Sequence, residues 1–169
     1  MNYASITRAD IANGSGFRVS LFVGGCARKC PGCFNPEAQD EKYGKPFDDA
    51  AKKKIFYELE HEWCKGLSFL GGEPLSKLSD NRKQVIALAK EVKEKFPDKD
   101  MWLWSGYLFE EILEDEDMKD ILKYIDVLID GPFVEEKKDL SLKWRGSSNQ
   151  RVIDVAKWRQ TGEVIYIND

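Results

Sequence analysis

Three cysteines within eight residues, Cys26, Cys30 and Cys33, constrain this chain more than any other feature of its sequence. They are spaced C-x3-C-x2-C, and the remaining cysteine is Cys64. Disulfides among cysteines so close together would close very small loops, and a chain without an export signal is expected in a reducing compartment. Thiolates are soft ligands that suit zinc or the iron of iron–sulfur clusters. The spacing therefore predicts a metal-binding loop.

Two kinds of metal site are compatible with this loop. A structural zinc ion takes four ligands in a tetrahedron, and either Cys64 or His61 would supply the fourth. A cubane iron–sulfur cluster normally takes four cysteines, so one held by three leaves an iron open to another ligand. The spacing alone favours the iron–sulfur cluster over zinc, and the rest of the chain decides between them.

Length and composition predict one domain over residues 1–169, with a net charge of −4 and 42% hydrophobic residues. No run approaches the ~20 apolar residues of a membrane span. The first residues, MNYASITRADIANGSG, lack the basic start and apolar stretch of a secretory signal, so we expect a cytoplasmic protein. The acidic balance gives no attraction to nucleic acid or to an anionic membrane.

Strands and helices alternate along the chain. Apolar periodicity and turn residues predict helices over 48–63 and 81–96 and an acidic helical stretch over 110–125. They predict strands over 17–23, 67–70, 101–104, 127–129, 151–155 and 164–167. This alternation is typical of an α/β fold with a mostly parallel sheet and helical crossovers.

Each candidate motif directly follows a predicted strand: the cysteine loop, GGEP at 71–74, WSGY at 104–107 and IDGPF at 129–133. In parallel α/β folds the site forms at the carboxyl ends of the strands, so these four loops are expected on one face. The chain is too short for the ~250 residues of an eight-unit barrel. We therefore expect an open, partial βα barrel.

The cysteine loop and GGEP together resemble the radical S-adenosylmethionine (SAM) enzymes. Their signature is C-x3-C-x2-C after the first strand, which Cys26, Cys30 and Cys33 match, with a GGEP-like segment after the second. Within that superfamily, the segments DIANGSGFRVSLFVGGC, CPGCFNPE, WSGY and WRGSSNQRVID resemble the small family of activating proteins of anaerobic ribonucleoside-triphosphate reductases. One departure is the pair Arg28 and Lys29, where members of that family often carry histidine.

The resemblance implies a [4Fe-4S] cluster on the three cysteines, with its open iron chelated by SAM. A flavodoxin-like donor would reduce the cluster, and cleavage of SAM would yield methionine and a 5′-deoxyadenosyl radical. That radical would take a hydrogen from a glycine Cα of the partner, an anaerobic ribonucleoside-triphosphate reductase, and leave a stored glycyl radical. Glycine suits this role because no side chain obstructs the approach to its Cα.

The resemblance also implies contacts to SAM. Glycines in GGEP would let backbone approach the ligand, and Glu73 or neighbouring carbonyls would accept hydrogen bonds from its ammonium group. The expected SAM-binding residues are Gly32, Cys33, Phe34, Gly71, Gly72, Glu73 and Asp130. Asp130 binds the ligand or caps its own turn, and Ser105 and Tyr107 line the pocket or form a packed turn.

Three alternatives stay open from the sequence. The first is an activase of another glycyl radical enzyme, the second is a small-molecule radical SAM enzyme, and the third is a zinc-stabilised binding module without catalysis. Arg145, Ser147, Asn149 and Arg151 form a polar block predicted to contact ligand or partner. Arg18, in an apolar strand, is expected to pair with a carboxylate such as Asp10 or to orient the cysteine loop.

Overall fold

A computed structural model describes residues 1 to 168 of the chain as an α/β fold. Within these residues, seven strands form one open sheet in the order β3-β1-β2-β4-β5-β6-β7. The strands are β1 (Asn2–Asp10), β2 (Arg18–Val23), β3 (Lys45–Pro46), β4 (Gly66–Gly71), β5 (Asp100–Trp104), β6 (Val127–Asp130) and β7 (Arg151–Asp154).

The centre of the sheet is parallel and its edges are antiparallel. Strands β2, β4, β5 and β6 run parallel, while β1, β3 and β7 run antiparallel to their neighbours. The crossovers are α1 (Asp49–Leu59), α2 (Asn81–Lys95) and α3 (Phe109–Glu114), and α4 (Val155–Thr161) follows β7. The predicted mostly parallel sheet with helical crossovers is confirmed.

Local chemistry sets the ends of the helices. The Asp48 side chain accepts a hydrogen bond from Ala51 N at 2.9 Å and caps α1. Asp154 caps α4 in the same way through Lys157 N, also at 2.9 Å. Helix α2 ends immediately before Phe96 and Pro97, because proline cannot continue the hydrogen-bonding pattern.

Alternation along the strands gives the sheet two apolar faces. Met101 and Leu103 of β5 belong to the main core beneath the helices, whereas Trp102 and Trp104 face the other side with Trp144. Trp102 packs edge-on against Trp144 with ring centroids 4.8 Å apart. The second face is thus covered by Trp144 and Ile167 from the C-terminal part of the chain, and not by a helix.

The structure corrects the prediction at four places. Strand β1 was not predicted, and the segment 164–167, predicted as a strand, forms a single bridge from Tyr166 to Ile153. Val155, predicted as the end of a strand, begins helix α4, which continues over 156–161, where the sequence predicts no element. The acidic stretch divides into α3 and a short 3-10 helix at Lys119–Lys123.

A buried arginine closes the amino ends of the parallel strands. Arg18 is completely buried, and its Nη1 lies 2.6 Å from Asp100 Oδ1 at the start of the second neighbouring strand. Its Nε donates to Ser68 Oγ at 2.8 Å. The predicted carboxylate partner is therefore present, but it is Asp100. Asp10 instead accepts from Asn13 Nδ2 at 2.7 Å.

Across residues 1–168, no helix has the length and apolar character needed to cross a membrane.

Candidate iron–sulfur and ligand site

A cavity of about 540 Å³ lies at the carboxyl ends of the parallel strands and contains the sequence-predicted motifs. All three loop cysteines line it, together with Gly71, Gly72, Glu73 and residues of the C-terminal segment. The expectation that the loops after β2, β4, β5 and β6 meet on one face is confirmed. A volume of this size is typical of a small-molecule site.

Main-chain hydrogen bonds hold the cysteine loop. Gly25 N donates to Ala38 O at 2.8 Å, and Cys26 N donates to Gln39 O at 3.1 Å. Cys33 N donates to Cys30 O at 3.2 Å, which closes a turn between the second and third cysteines. Main-chain bonds therefore hold the loop at Gly25, Cys26 and Cys33.

The thiols of this loop are suited to ligation. Cys26, Cys30 and Cys33 are free and partly exposed to the cavity. Burial raises the pKa of the Cys26 thiol, and the nearby Glu73 carboxylate adds to that rise. A positively charged iron centre would reverse this balance, because metal coordination favours the thiolate.

Three thiols around one cavity fit a cluster. Among residues 1–168, no three histidine, cysteine or carboxylate side chains lie close enough together to hold a single metal ion. In an iron–sulfur cubane each cysteine binds a different iron, so the thiolates need not converge on one point. Soft sulfur donors on a single loop, facing a cavity with room for a further ligand, match the chemistry of such a cluster.

The two glycines of GGEP allow the close packing of two loops. A Cβ on Gly71 would lie 2.5 Å from Val23 N, and one on Gly72 would lie 2.6 Å from Gly25 O. Gly72 N and Glu73 N donate to Val23 O at 2.7 Å and Gly25 O at 2.9 Å. The glycines therefore let the backbone of this turn reach the cysteine loop, besides lining the cavity.

Glu73 joins the GGEP turn to the WSGY turn. Its side chain is 2% exposed, and Oε1 accepts from Leu75 N at 3.0 Å and from Ser105 Oγ at 2.9 Å. Oε2 accepts from Gly106 N at 2.7 Å. Burial raises the pKa of Glu73 above its ordinary value despite these bonds. The Glu73 carboxylate thus holds the two turns together at the cavity, and Ser105 acts as one of its hydrogen-bond donors.

Phe34 and Gly32 take different positions beside Cys33. Phe34 is 63% exposed at the cavity and lies 4.9 Å from the Phe133 ring, centroid to centroid. Gly32 faces the Glu135 carboxylate and does not line the cavity. Phe34 therefore presents an aromatic surface to a ligand, whereas Gly32 contacts the C-terminal segment.

Asp130 is engaged in a buried ion pair. Its Oδ2 accepts from Phe109 N at 2.7 Å, and its Oδ1 accepts from Arg151 Nε at 3.0 Å. Arg151 Nη2 also donates to Asp130 and binds Glu110 Oε2 at 2.7 Å. These carboxylates hold the pKa of Arg151 above its usual range. Asp130 is absent from the cavity lining, and its carboxylate accepts from the first residue of α3, which differs from the predicted cap of its own turn.

The polar block of the C-terminal segment builds one wall of the cavity. Gln150 Oε1 accepts from Gly146 N at 2.9 Å and Ser147 N at 3.1 Å, and Gln150 Nε2 donates to Gly131 O at 3.0 Å. Asn149 Nδ2 donates to Pro132 O at 2.8 Å. Most of these polar groups are thus used to fold the segment, while Arg145 and Gln150 also line the cavity.

Sequence reasoning assigned no role in the cavity to Arg28, Trp104 and Phe133. The Arg28 guanidinium lies over the Tyr107 ring, 4.6 Å from its centroid, and connects the cysteine loop to the WSGY turn. Trp104 Nε1 donates to Trp144 O at 2.5 Å. Only their position in the sequence could have indicated a role in the cavity, because each of these residues lies in a loop or at a strand end that carries a motif.

The zinc alternative requires a fourth ligand that the structure places elsewhere. Cys64 is buried before β4, where its Sγ donates to Gly66 O at 3.5 Å, and His61 contacts Tyr57 O. Five residue steps of β4, roughly 16 Å, separate this end of the strand from the cysteine cavity. Neither side chain lines that cavity.

Comparisons with known proteins agree with this geometry. The family model described as a 4Fe-4S single cluster domain matches residues 12–153. A protein of Pasteurella multocida named anaerobic ribonucleoside-triphosphate reductase-activating protein is 43% identical over 152 residues, covering 89% of this chain and 95% of the relative. Proteins of the same name from Enterobacteria phage T4 and Escherichia coli K12 are 43% and 40% identical over 154 residues, 90% of this chain and 93% and 97% of the relatives.

Proposed function

The chain belongs to the family of anaerobic ribonucleoside-triphosphate reductase-activating proteins, and on that premise we propose that it generates the glycyl radical of such a reductase. One electron would cleave SAM at its sulfonium carbon–sulfur bond into methionine and a 5′-deoxyadenosyl radical. That radical would take a hydrogen atom from a glycine Cα of the reductase, giving 5′-deoxyadenosine and the glycyl radical. The electron would come from a flavodoxin-like donor in the cytoplasm.

The observation that supports this proposal most strongly is the single cavity shared by three free thiols and the GGEP turn. Cys26, Cys30 and Cys33 would hold a [4Fe-4S] cluster, which when bound supplies the electron and an open iron for the ligand's amino and carboxylate groups. Three protein thiolates on a single loop leave the remaining space of the cavity to that ligand.

The chain's own residues would bind and orient SAM. Backbone of Gly71, Gly72 and Glu73 borders the cavity, and a carbonyl there or the outer oxygen of Glu73 would accept hydrogen bonds from the ammonium group. The exposed face of Phe34 would pack against the adenine. Gly32 would act indirectly through its contact with Glu135. Asp130 would do so through its hydrogen bond with Phe109 N at the start of α3.

The fold supports a reaction that is completed by a partner. We propose that the open sheet is the partial barrel of radical SAM enzymes, in one domain over the whole chain. Its C-terminal wall, from Phe133 to Gln150, closes one side of the cavity and leaves a mouth at Phe34 and Leu140, which are 63% and 83% exposed. A glycine-bearing loop of the reductase would enter there and exclude water from the radical.

The test is electron paramagnetic resonance on anaerobically reconstituted protein reduced with dithionite. We expect a reduced-cluster signal that changes shape when SAM is added, because SAM occupies the open iron. Addition of anaerobic ribonucleoside-triphosphate reductase should then produce a glycyl radical signal on the reductase. A formate-lyase-type enzyme, incubated in parallel, should acquire none.

Two results would contradict the proposal. Iron absent after reconstitution, with one tightly held zinc ion in its place, would show a binding module without catalysis. A normal cluster and SAM response with a radical only on the formate-lyase-type enzyme would show an activase of a different partner.

A further inference from the structure

The outer edge of the sheet is open along most of β1. Strand β3 is only two residues long and pairs with Asn2 and Tyr3. Within residues 1–168, no other strand lies on that side of β1, so the outer side of the backbone from Ala4 to Asp10 borders no strand, with irregularities in register between Tyr3 and Ser5 and between Thr7 and Asp10. An unpaired strand edge is a template for a further strand.

A groove lies beside this edge. It has a volume of about 650 Å³ and is lined entirely by residues of β1, of α1 and of Lys45 in β3. It shares no lining residue with the cysteine cavity. Space for a chain segment therefore exists next to the open strand, at the edge of the sheet and outside the proposed reaction site.

The groove is strongly basic although the chain as a whole is acidic. Four cationic side chains line it, Arg8, Lys45, Lys53 and Lys54, against the single carboxylate of Glu58. The chain carries a net charge of −4, so this positive surface is a local feature and not a reflection of composition. Clustered charge of one sign attracts a partner of the opposite sign.

Glu58 does not cancel the positive charge of the groove. Its Oε1 lies 3.3 Å from Arg8 Nε, while its Oε2 is enclosed by the protein. The residue as a whole is 8% exposed. Lys45, Lys53 and Lys54 are exposed, so the surface that a partner meets is cationic.

We propose that the groove binds an extended, acidic segment of the partner reductase, which adds a strand to β1. Main-chain hydrogen bonds to the open edge would give affinity, and the lysines of α1 would select acidic side chains. This inference rests on the proposed function for the identity of the partner. A second copy of this chain is disfavoured as the occupant, because two-fold pairing of the edges would bring the same cations together.

The test compares two charge-reversed double variants of the reconstituted full-length protein. K53E/K54E reverses the groove, and K83E/K90E makes the same charge change at exposed positions of α2. We expect K53E/K54E to weaken the complex with the reductase about tenfold or more, the range of interface charge pairs. K83E/K90E should bind like the wild type, and SAM cleavage driven by dithionite without reductase should be unchanged in both.

Hydrogen–deuterium exchange supplies the second measurement. Binding of the reductase should slow exchange of the amides from Ala4 to Asp10 in the wild type, and not in K53E/K54E at the same concentration. Equal binding by the two double variants, or unchanged exchange in β1, would overturn the inference while a glycyl radical still formed. Protection of β1 that depends on the concentration of this chain alone would overturn it in favour of self-pairing. Failure of the wild type to bind or activate the reductase would instead refute the proposed function.

Discussion

The two ends of the parallel strands use the same residue types in opposite ways. At the amino ends, Cys64 is buried, and Arg18 is also buried and forms an ion pair with Asp100. At the carboxyl ends, three cysteines face a cavity, and the arginine of the ion pair, Arg151, is partly exposed while its partner Asp130 is buried. The amino ends are thus closed and packed, whereas the carboxyl ends leave side chains at an open cavity, although neither cysteine nor arginine as a residue type distinguishes the two ends.

The largest test of this comparison is a cysteine substitution at each end. Cys30→Ala should abolish cluster assembly and SAM cleavage, since the cavity would retain two thiols. Cys64→Ala should keep both activities and cost on the order of 1 kcal/mol of unfolding free energy. Iron and sulfide content after anaerobic reconstitution measures the difference. Loss of iron in Cys64→Ala with normal stability would remove the distinction between the ends.

A stability test at the amino ends ranks second. Asp100→Ala leaves the buried Arg18 guanidinium without its carboxylate, and should lower the free energy of unfolding by about 3 kcal/mol. Asp98→Ala, which removes an exposed carboxylate nearby, serves as the matched control. Urea denaturation measures both, and folded Asp100→Ala should still bind a full complement of iron. An effect on iron content at full stability would show that this end also contributes to the site.

A third, smaller effect concerns Arg28 at the carboxyl ends. Arg28→Gln removes the guanidinium from the Tyr107 ring and should weaken SAM binding about fivefold, close to the 1 kcal/mol of a cation–π contact. The neighbouring Lys29→Gln, at an exposed position, should stay within about 0.5 kcal/mol of the wild type. Equilibrium binding of SAM to the reconstituted protein measures both. Equal losses would attribute the effect to loop charge in general.

The smallest effect is a pH dependence of the ion pair between Glu110 and Arg151. Arg151 lowers the pKa of Glu110 below its ordinary value of 4.5, so the pair stabilises the fold above that pH and is lost as pH falls through the lowered pKa. Glu110→Gln should therefore cost roughly 0.5 kcal/mol at pH 7, typical of an exposed pair, and less in acid. Urea denaturation at pH 7 and below pH 4 checks this. A constant difference would exclude the carboxylate's charge as the cause.

The sequence was sufficient for the regular, buried part of this fold. Strands β2, β4, β5 and β6 are short apolar runs bounded by turn residues, and α1 and α2 carry clear apolar faces. Strand β1 was missed because most of its residues are polar and only partly buried, as suits an edge strand. Helix α4 has a cap at Asp154, but its few apolar residues gave too weak a pattern.

The site was predictable where a motif carried it and not where tertiary contacts made it. The cysteines were located by their spacing and GGEP by the family resemblance, and the structure brings them into one cavity. The sequence could not show that the Glu73 carboxylate would accept hydrogen bonds from Ser105 and Gly106, because those partners lie 32 and 33 residues away. The engagement of Asp130 by Arg151 has the same origin in long-range packing.

The main-chain support of the cysteine loop bears on how this protein can diverge. Gly25 and Cys26 are held by carbonyls of Ala38 and Gln39, and Glu73 N holds the carbonyl of Gly25. Any residue except proline offers such an amide, so these bonds do not depend on the side chains of Arg28 and Lys29, whereas Gly32 has a φ of 71° that favours glycine. The side chains at positions 28 and 29 can therefore change without loss of the main-chain bonds that position Cys26 and Cys33 at the cavity.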